Sequence, residues 1–222
     1  MIEERDNTGQ IMLNPDTAPP PQIEIGNIGF VDNVNTGQEW GRLYNWPEAM
    51  DPKVSPPGWH IPSIAEWDKL WKLMSKAAGY GDSCTNTTRV AQAFSNTTMW
   101  DPINPSLQGT DLLGFDGKPI GRYAFGGYEY RGRIYAMWTT ESYKYLEIST
   151  YACYSPGYIY YYTYDIKCCI RCCRPASDLN GDSGVWVDPR DYKRYRWKKI
   201  GDLIWMVDHL DYAGTNYGAI YA

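Results

Sequence analysis

The chain has 222 residues, of which 43% are hydrophobic and 15% aromatic, so it can form a sizeable core in one domain, with or without an appendage. Its formal net charge of −5 and the scattering of its 21 Lys and Arg residues argue against a nucleic-acid partner, which normally leaves a basic patch. No run of about 18 apolar residues is present, and the first residues are acidic where a secretory signal is basic and apolar, so we expect neither membrane insertion nor a signal peptide.

Residues 1–25 are expected to form an extended N-terminal arm. This stretch is acidic near its start and contains Pro19, Pro20 and Pro21, which favour polyproline II over a packed structure. Two interpretations stay open: a disordered tail, or a segment that docks onto a neighbouring subunit or a particle.

One long helix is predicted from Ser63 to Gly79. Ser63 and Glu66 have the spacing of a capping box, and Gly79 is a helix stop. A shorter helix is predicted over residues 89–94, and short antiparallel strands with long loops elsewhere, which makes the class α+β. The apolar residues at helical spacing in the long helix are Trp67, Leu70, Trp71, Met74, Ala77 and Ala78.

The stretch from Trp138 to Arg174 has the most unusual composition. Nine of the chain's 20 tyrosines lie between Tyr143 and Tyr164, interleaved with Ser, Thr, Gly and Cys. Each buried phenol needs a hydrogen-bond partner, whereas recognition surfaces use Tyr for stiff contacts and Ser or Gly for adaptable ones. We therefore predict a binding face. Its candidate ligand-binding residues are Tyr143, Tyr145, Tyr151, Tyr154, Ser155, Tyr158, Tyr160, Tyr162 and Tyr164.

Four of the six cysteines lie in one short run, Cys168-Cys169-Ile170-Arg171-Cys172-Cys173. Structural zinc sites usually use two pairs separated by a longer loop. Strand alternation would put Cys168 and Cys172 on one face, and Cys169 and Cys173 on the other. We expect free or partly buried thiols and no bound metal.

Catalysis has little support in the sequence. The chain has two histidines, His60 and His209, and none of the usual hydrolase, phosphate-loop or dinucleotide motifs. The acidic stretch from Asp178 to Gly184 lacks the Gly and the final acid of a calcium loop, so it is interpreted as a turn-forming linker. We expect a protein that is not an enzyme and uses no cofactor.

Five motifs occur in an order that resembles the Fibrobacter succinogenes major paralogous domain, a C-type lectin-like fold. They are Gly41-Arg42-Leu43-Tyr44-Asn45-Trp46, Gly58-Trp59-His60-Ile61-Pro62-Ser63 with Glu66-Trp67, Gly109-Thr110-Asp111-Leu112-Leu113-Gly114-Phe115, Trp138-Thr139-Thr140-Glu141, and Arg171-Cys172. The resemblance covers residues 41–174 and implies a surface binding module. It does not imply sugar binding, because the calcium-dependent motif of true lectins is absent.

Some domains similar to this family are variable proteins of diversity-generating retroelements. Their templates randomise adenines, so that Asn codons become Tyr, Ser, Gly, Cys and similar residues. The run from Tyr143 to Cys173 is rich in these residues, and its cysteine pairs are interpreted as further products of diversification. The alternative is an ordinary paralogue with a Tyr-rich ligand loop.

One motif is displaced relative to the resembled family. A motif that normally precedes Gly-Arg-Leu-Tyr occurs here as Tyr195-Arg196-Trp197-Lys198-Lys199-Ile200-Gly201, followed by Trp205-Met206 and Leu210-Asp211-Tyr212. We predict a circularly permuted domain, with residues 26–174 as its body, 175–184 as a linker and 185–222 completing it. Strand exchange with a neighbouring copy and an unused, truncated repeat are the alternatives.

The expected function is non-enzymatic recognition of a host or cell-surface receptor, protein or glycan, most simply in phage attachment. The location would be the virion surface, with residues 1–25 as a virion or oligomer contact. The alternatives are a bacterial cell-surface module of the same fold and a structural virion subunit.

Overall fold

The computed structural model describes residues 40–81, 87–100, 108–149 and 166–214. Within them, three helices and ten short strands are joined by long loops, compatible with the α+β class. The helices are α1 (Trp46–Met50), α2 (Ile64–Ala77) and α3 (Thr87–Phe94). The strands are β1 (Tyr44–Asn45), β2 (Arg122–Ala124), β3 (Gly127–Glu129), β4 (Ile134–Trp138), β5 (Tyr145–Ser149), β6 (Lys167–Cys168), β7 (Cys173–Pro175), β8 (Ser183–Val187), β9 (Arg194–Ile200) and β10 (Leu203–Met206).

The predicted capping box of α2 is confirmed. The backbone N–H of Glu66 donates to the Ser63 hydroxyl oxygen at 3.3 Å, and the Glu66 carboxylate accepts the Ser63 N–H at 2.8 Å. The helix buries Trp67, Leu70, Trp71 and Met74 as expected. Its last turn differs from the prediction, because Ala77 is exposed and Ser75 is buried, donating its hydroxyl to the Gly81 carbonyl at 2.7 Å.

Helix α1 was not predicted from the sequence. It has its own capping box, in which Asn45 and Glu48 exchange hydrogen bonds of 2.8 Å. The signal was present as an Asn three residues before a Glu, with Pro47 in the first turn. No helix in the described ranges is long and apolar enough to cross a membrane.

The strands form two four-stranded sheets and one two-stranded sheet, and every pair of these strands is antiparallel. The first sheet has the order β1-β6-β2-β3, the second β7-β10-β9-β8, and β4 pairs with β5.

The strand-like run from Ile166 to Pro175 lies between two hydrophobic clusters. Cys169 and Cys173 belong to the first cluster, with the buried face of α2. Cys168 and Cys172 belong to the second, with Trp59. The predicted alternation is therefore confirmed, and these four cysteines are free and fully buried.

The cysteine pairs, interpreted from the sequence as products of diversification, therefore lie in the core and not on a displayed surface. A fully buried thiol contributes to core packing and adds no area to a displayed receptor-binding surface. Arg171, between the two pairs, is also fully buried; its guanidinium lies 4.2 Å from the centre of the Phe115 ring and donates to the Asp116 carbonyl at 2.8 Å.

The segment after Pro175 is packed into the same chain. Strand β10 pairs with β7 on one side and with β9 on the other. In the first cluster, the ring of Trp205 lies 4.8 Å from that of Trp67. Trp197, Ile200, Trp205, Met206 and Leu210 are all at most 6% exposed. These five side chains are therefore part of the core and not an exposed apolar surface.

The predicted linker begins with a short 3-10 turn over Ala176–Asp178. The Asp178 carboxylate accepts two hydrogen bonds of 3.1 Å from the Arg174 guanidinium. This ion pair gives Asp178 a structural partner at the turn.

Candidate ligand-binding face

Two of the candidate ligand-binding residues, Tyr143 and Tyr145, lie in the part of the chain that the structure describes. The other candidates lie outside the described residues: Tyr151, Tyr154, Ser155, Tyr158, Tyr160, Tyr162 and Tyr164. The structure does describe the elements that precede and follow them in the chain. Strand β5 leads into residues 150–165, and Ile166 and β6 follow them.

Tyr145 is an interior residue, which corrects its assignment to the binding face. Its side chain is fully buried, its ring packs edge-on against Trp138 at 5.8 Å, and its hydroxyl accepts a hydrogen bond from Arg122 at 2.9 Å. Burial raises the pKa of the Tyr145 phenol well above its ordinary value. We therefore exclude Tyr145 from the face.

Tyr143 is half-buried at the turn before β5. Its backbone is left-handed, with φ +54°, and its ring lies 4.8 Å from that of Trp46. The same turn is tied to the start of α2, because both carboxylate oxygens of Glu141 lie 3.0 Å from the Ile64 N–H that donates to them. Tyr143 is thus held in place by its neighbours, with part of its surface in solvent.

Arg122 connects β5, from which the Tyr-rich segment continues, to the hairpin of β2 and β3. From β2, its guanidinium donates to Glu147 in β5 at 2.8 Å and to Glu129 in β3 at 3.4 Å. Burial raises the pKa of Glu147, and the charge of Arg122 opposes this shift without cancelling it. The guanidinium therefore links β2, β3 and β5 by charge-assisted hydrogen bonds.

The hairpin of β2 and β3 presents aromatic residues beside the end of the segment. Strand β2 pairs with β6 through Tyr123 and Lys167, and the Lys167 ammonium lies 5.3 Å from the centre of the Tyr123 ring. At the hairpin tip, Phe125 is 73% exposed with φ +52°. Tyr130 follows β3 at the opposite end of the hairpin and is 50% exposed with φ +60°. Bulky residues rarely adopt such dihedrals.

Sequence reasoning missed these hairpin residues. Their signal was the run Tyr123-Ala124-Phe125-Gly126-Gly127-Tyr128-Glu129-Tyr130, in which aromatics flank a glycine turn. Phe125 therefore exposes a large apolar side chain at a left-handed backbone position.

Among the described residues, neither histidine lies in a nucleophile–base–acid relay. His209 is fully buried, and burial, followed by the positive charges of Arg171 and Lys118, holds its pKa well below the ordinary value. His60 Nε2 lies 2.8 Å from a Glu66 oxygen and 3.2 Å from Cys173 Sγ. In a nucleophile–base–acid relay, the nucleophile and the acid contact opposite ring nitrogens, whereas here both contact the same one.

The family model of the Fibrobacter succinogenes major domain matches residues 17–174. The chain belongs to this family. No curated protein matches the chain, and no solved structure matches it. The Fibrobacter succinogenes major domain match ends at Arg174 in β7, so the β8, β9 and β10 strands lie beyond it although they form a sheet with β7.

Proposed function

We propose that the chain is a non-enzymatic binding protein whose Tyr-rich segment recognises a receptor on a host cell, in the attachment of a phage. The observation that carries the proposal is the composition of the segment: between residues 151 and 164, seven of the fourteen residues are tyrosines. Exposed tyrosines supply large contact areas at a small cost in conformational entropy.

The described frame supports this role. Strand β5 pairs with β4 over five residues, and β6 pairs with β1 and β2, so both ends of the segment are attached to sheets. Binding residues are effective when a rigid scaffold positions the segment that carries them. The frame itself exposes two aromatic side chains, Phe125 and Tyr130, which we propose contribute to the contact with the ligand.

We further propose that the fold is C-type lectin-like and circularly permuted. The support is the sheet in which β7, the last strand of the family match, pairs with β10 from beyond it. A permuted chain would supply its first family motif in this way from the C-terminal side.

Diversification by a retroelement is part of the proposal, and the burial of the cysteine run limits the positions that can vary. Ile166 and residues 168–173 are buried, so a tolerated set of variable positions within this run would lie before Ile166. Sequencing the DNA around the gene tests this idea. We expect a near-identical template repeat with adenines at the Tyr and Ser codons, beside a reverse-transcriptase gene; without them the retroelement hypothesis fails.

The attachment function is tested by competition. Purified protein in excess should reduce adsorption of the phage that carries the gene to its host cells. An equal amount of protein in which Tyr151, Tyr158 and Tyr160 are replaced by Ala should not. Unchanged adsorption with the wild-type protein would refute phage attachment and favour the bacterial cell-surface alternative.

A further inference from the structure

Three side chains of different chemistry converge beside the N-terminus of α2. The imidazole Nε2 of His60 lies 2.8 Å from Glu66 Oε1 and 3.2 Å from Cys173 Sγ. The three potential ligand atoms all lie within 4.8 Å of one another. Among the described residues, this is the group whose His, Cys and acidic atoms are close enough to share one cation.

Backbone hydrogen bonds hold two of these residues side by side. The N–H of His60 donates to the Cys173 carbonyl at 2.9 Å, and the N–H of Cys173 donates to the His60 carbonyl at 2.9 Å. A reciprocal pair of this kind places two side chains on the same face of an antiparallel ladder. The convergence of His60 and Cys173 is therefore built into the backbone.

The carboxylate of the third residue, Glu66, is held in place through its other oxygen. Glu66 Oε2 accepts hydrogen bonds of 2.8 Å from both the N–H and the hydroxyl of Ser63. These bonds leave Oε1 directed at the imidazole. Partners that orient a ligand in this way are typical of metal sites, where they fix the ligand before the ion arrives.

We propose that His60, Glu66 and Cys173 bind one divalent transition-metal cation of the zinc type. Imidazole nitrogen, carboxylate oxygen and thiolate sulfur are the three ligand types that zinc uses in proteins. The His60 side chain is 44% exposed and that of Glu66 is 21% exposed, so solvent can reach the group and supply a fourth ligand. This site is not a four-cysteine zinc site of the kind considered for the run from Cys168 to Cys173. It uses one thiol of that run, that of Cys173.

The distances suit this coordination after a small adjustment. Zinc bonds of about 2.0 Å to nitrogen and about 2.3 Å to sulfur, at tetrahedral angles, separate the two ligand atoms by about 3.5 Å. The corresponding separation of His60 Nε2 and Cys173 Sγ is 3.2 Å. A shift of a few tenths of an ångström in two side chains is within ordinary side-chain motion, and the backbone pairing would not change.

Binding must displace the thiol proton. Burial, with the nearby charge of Glu66, raises the pKa of Cys173 above its ordinary value. Metal ligation requires the thiolate, so zinc competes with the proton and its affinity increases with pH. A hydrogen-bonded cluster that binds no metal would show no such pH-dependent uptake.

The test uses the full chain, freed of metal with a chelator and titrated with Co²⁺ and Zn²⁺. We expect one Zn²⁺ per chain, a cobalt–thiolate charge-transfer band, and a rise in the melting temperature with Zn²⁺. Cys173→Ser should lower the Zn²⁺ affinity more than the loss of an outer-shell partner does, which is roughly tenfold to hundredfold. Cys169→Ser is the matched control, because Cys169 is another buried thiol of the same cluster, 3.1 Å from the Ala136 carbonyl.

A second variant keeps the test decisive if Cys173→Ser folds poorly. Glu66→Gln retains a side chain that can complete the capping box, but it removes the carboxylate charge. It should bind Zn²⁺ more weakly than the wild-type chain while its metal-free melting temperature stays close to the wild-type value. No cobalt–thiolate band in the wild-type chain, or equal Zn²⁺ affinity in Glu66→Gln and wild type, would overturn the proposal.

Discussion

Replacing Trp205 by Ala tests whether the C-terminal segment is part of the chain's own core. Trp205 is 1% exposed in β10, and its ring lies 4.8 Å from that of Trp67 in α2 and 6.0 Å from that of Phe115. Removing about 200 Å² of buried aromatic surface corresponds to about 5 kcal/mol of transfer free energy. Measured Trp→Ala costs in cores are about 3–5 kcal/mol, which is the loss in unfolding free energy we expect.

The assay is equilibrium urea unfolding followed by Trp fluorescence and circular dichroism. The midpoint should fall while the slope with denaturant stays unchanged, because only the stability changes. Tyr192→Ala is the control, since Tyr192 is 78% exposed and its loss should change stability by less than about 0.5 kcal/mol. A loss below about 1 kcal/mol for Trp205→Ala would refute the packing described for β10.

The same experiment separates self-completion from strand exchange. If the segment from residue 185 onward completes its own chain, the midpoint is independent of protein concentration. If it completes a neighbouring copy, the midpoint rises with concentration, because association then contributes to stability. We expect no concentration dependence.

Two further substitutions test the frame of the binding face. Arg122→Met leaves Glu147 buried without its guanidinium partner and should cost about 3–5 kcal/mol of unfolding free energy near neutral pH. Burial already raises the Glu147 pKa, so this loss, measured by urea unfolding, should shrink as the pH falls to about 4, where the carboxyl is mostly protonated in the folded and the unfolded chain. An equal loss at both pH values would mean that the ion pair is not its cause. Phe125→Gly should raise stability by about 0.5–1 kcal/mol, because glycine tolerates the φ of +52°, while weakening adsorption to cells. A fall in its melting temperature would instead show that Phe125 contributes to packing.

The local parts of the fold were predictable from the sequence. Helix α2 carries its start signal and its buried face within neighbouring residues, and the alternation of the cysteine run follows from the geometry of any strand. The burial of Tyr145 was not predictable, because it depends on Arg122 from β2 and Trp138 from β4. The convergence of His60 with Cys173 joins residues 113 positions apart and depends on the pairing of their backbones.

The central claim, that the Tyr-rich segment is a displayed binding surface, is tested most directly by one paired measurement. The melting temperature and the cell binding of the protein with Tyr151, Tyr158 and Tyr160 replaced by Ala are compared with those of wild type and Tyr192→Ala. We expect the triple variant to lose cell binding with a melting temperature close to that of wild type, because exposed side chains contribute little to stability. A large fall in melting temperature, or binding equal to wild type, would contradict the claim.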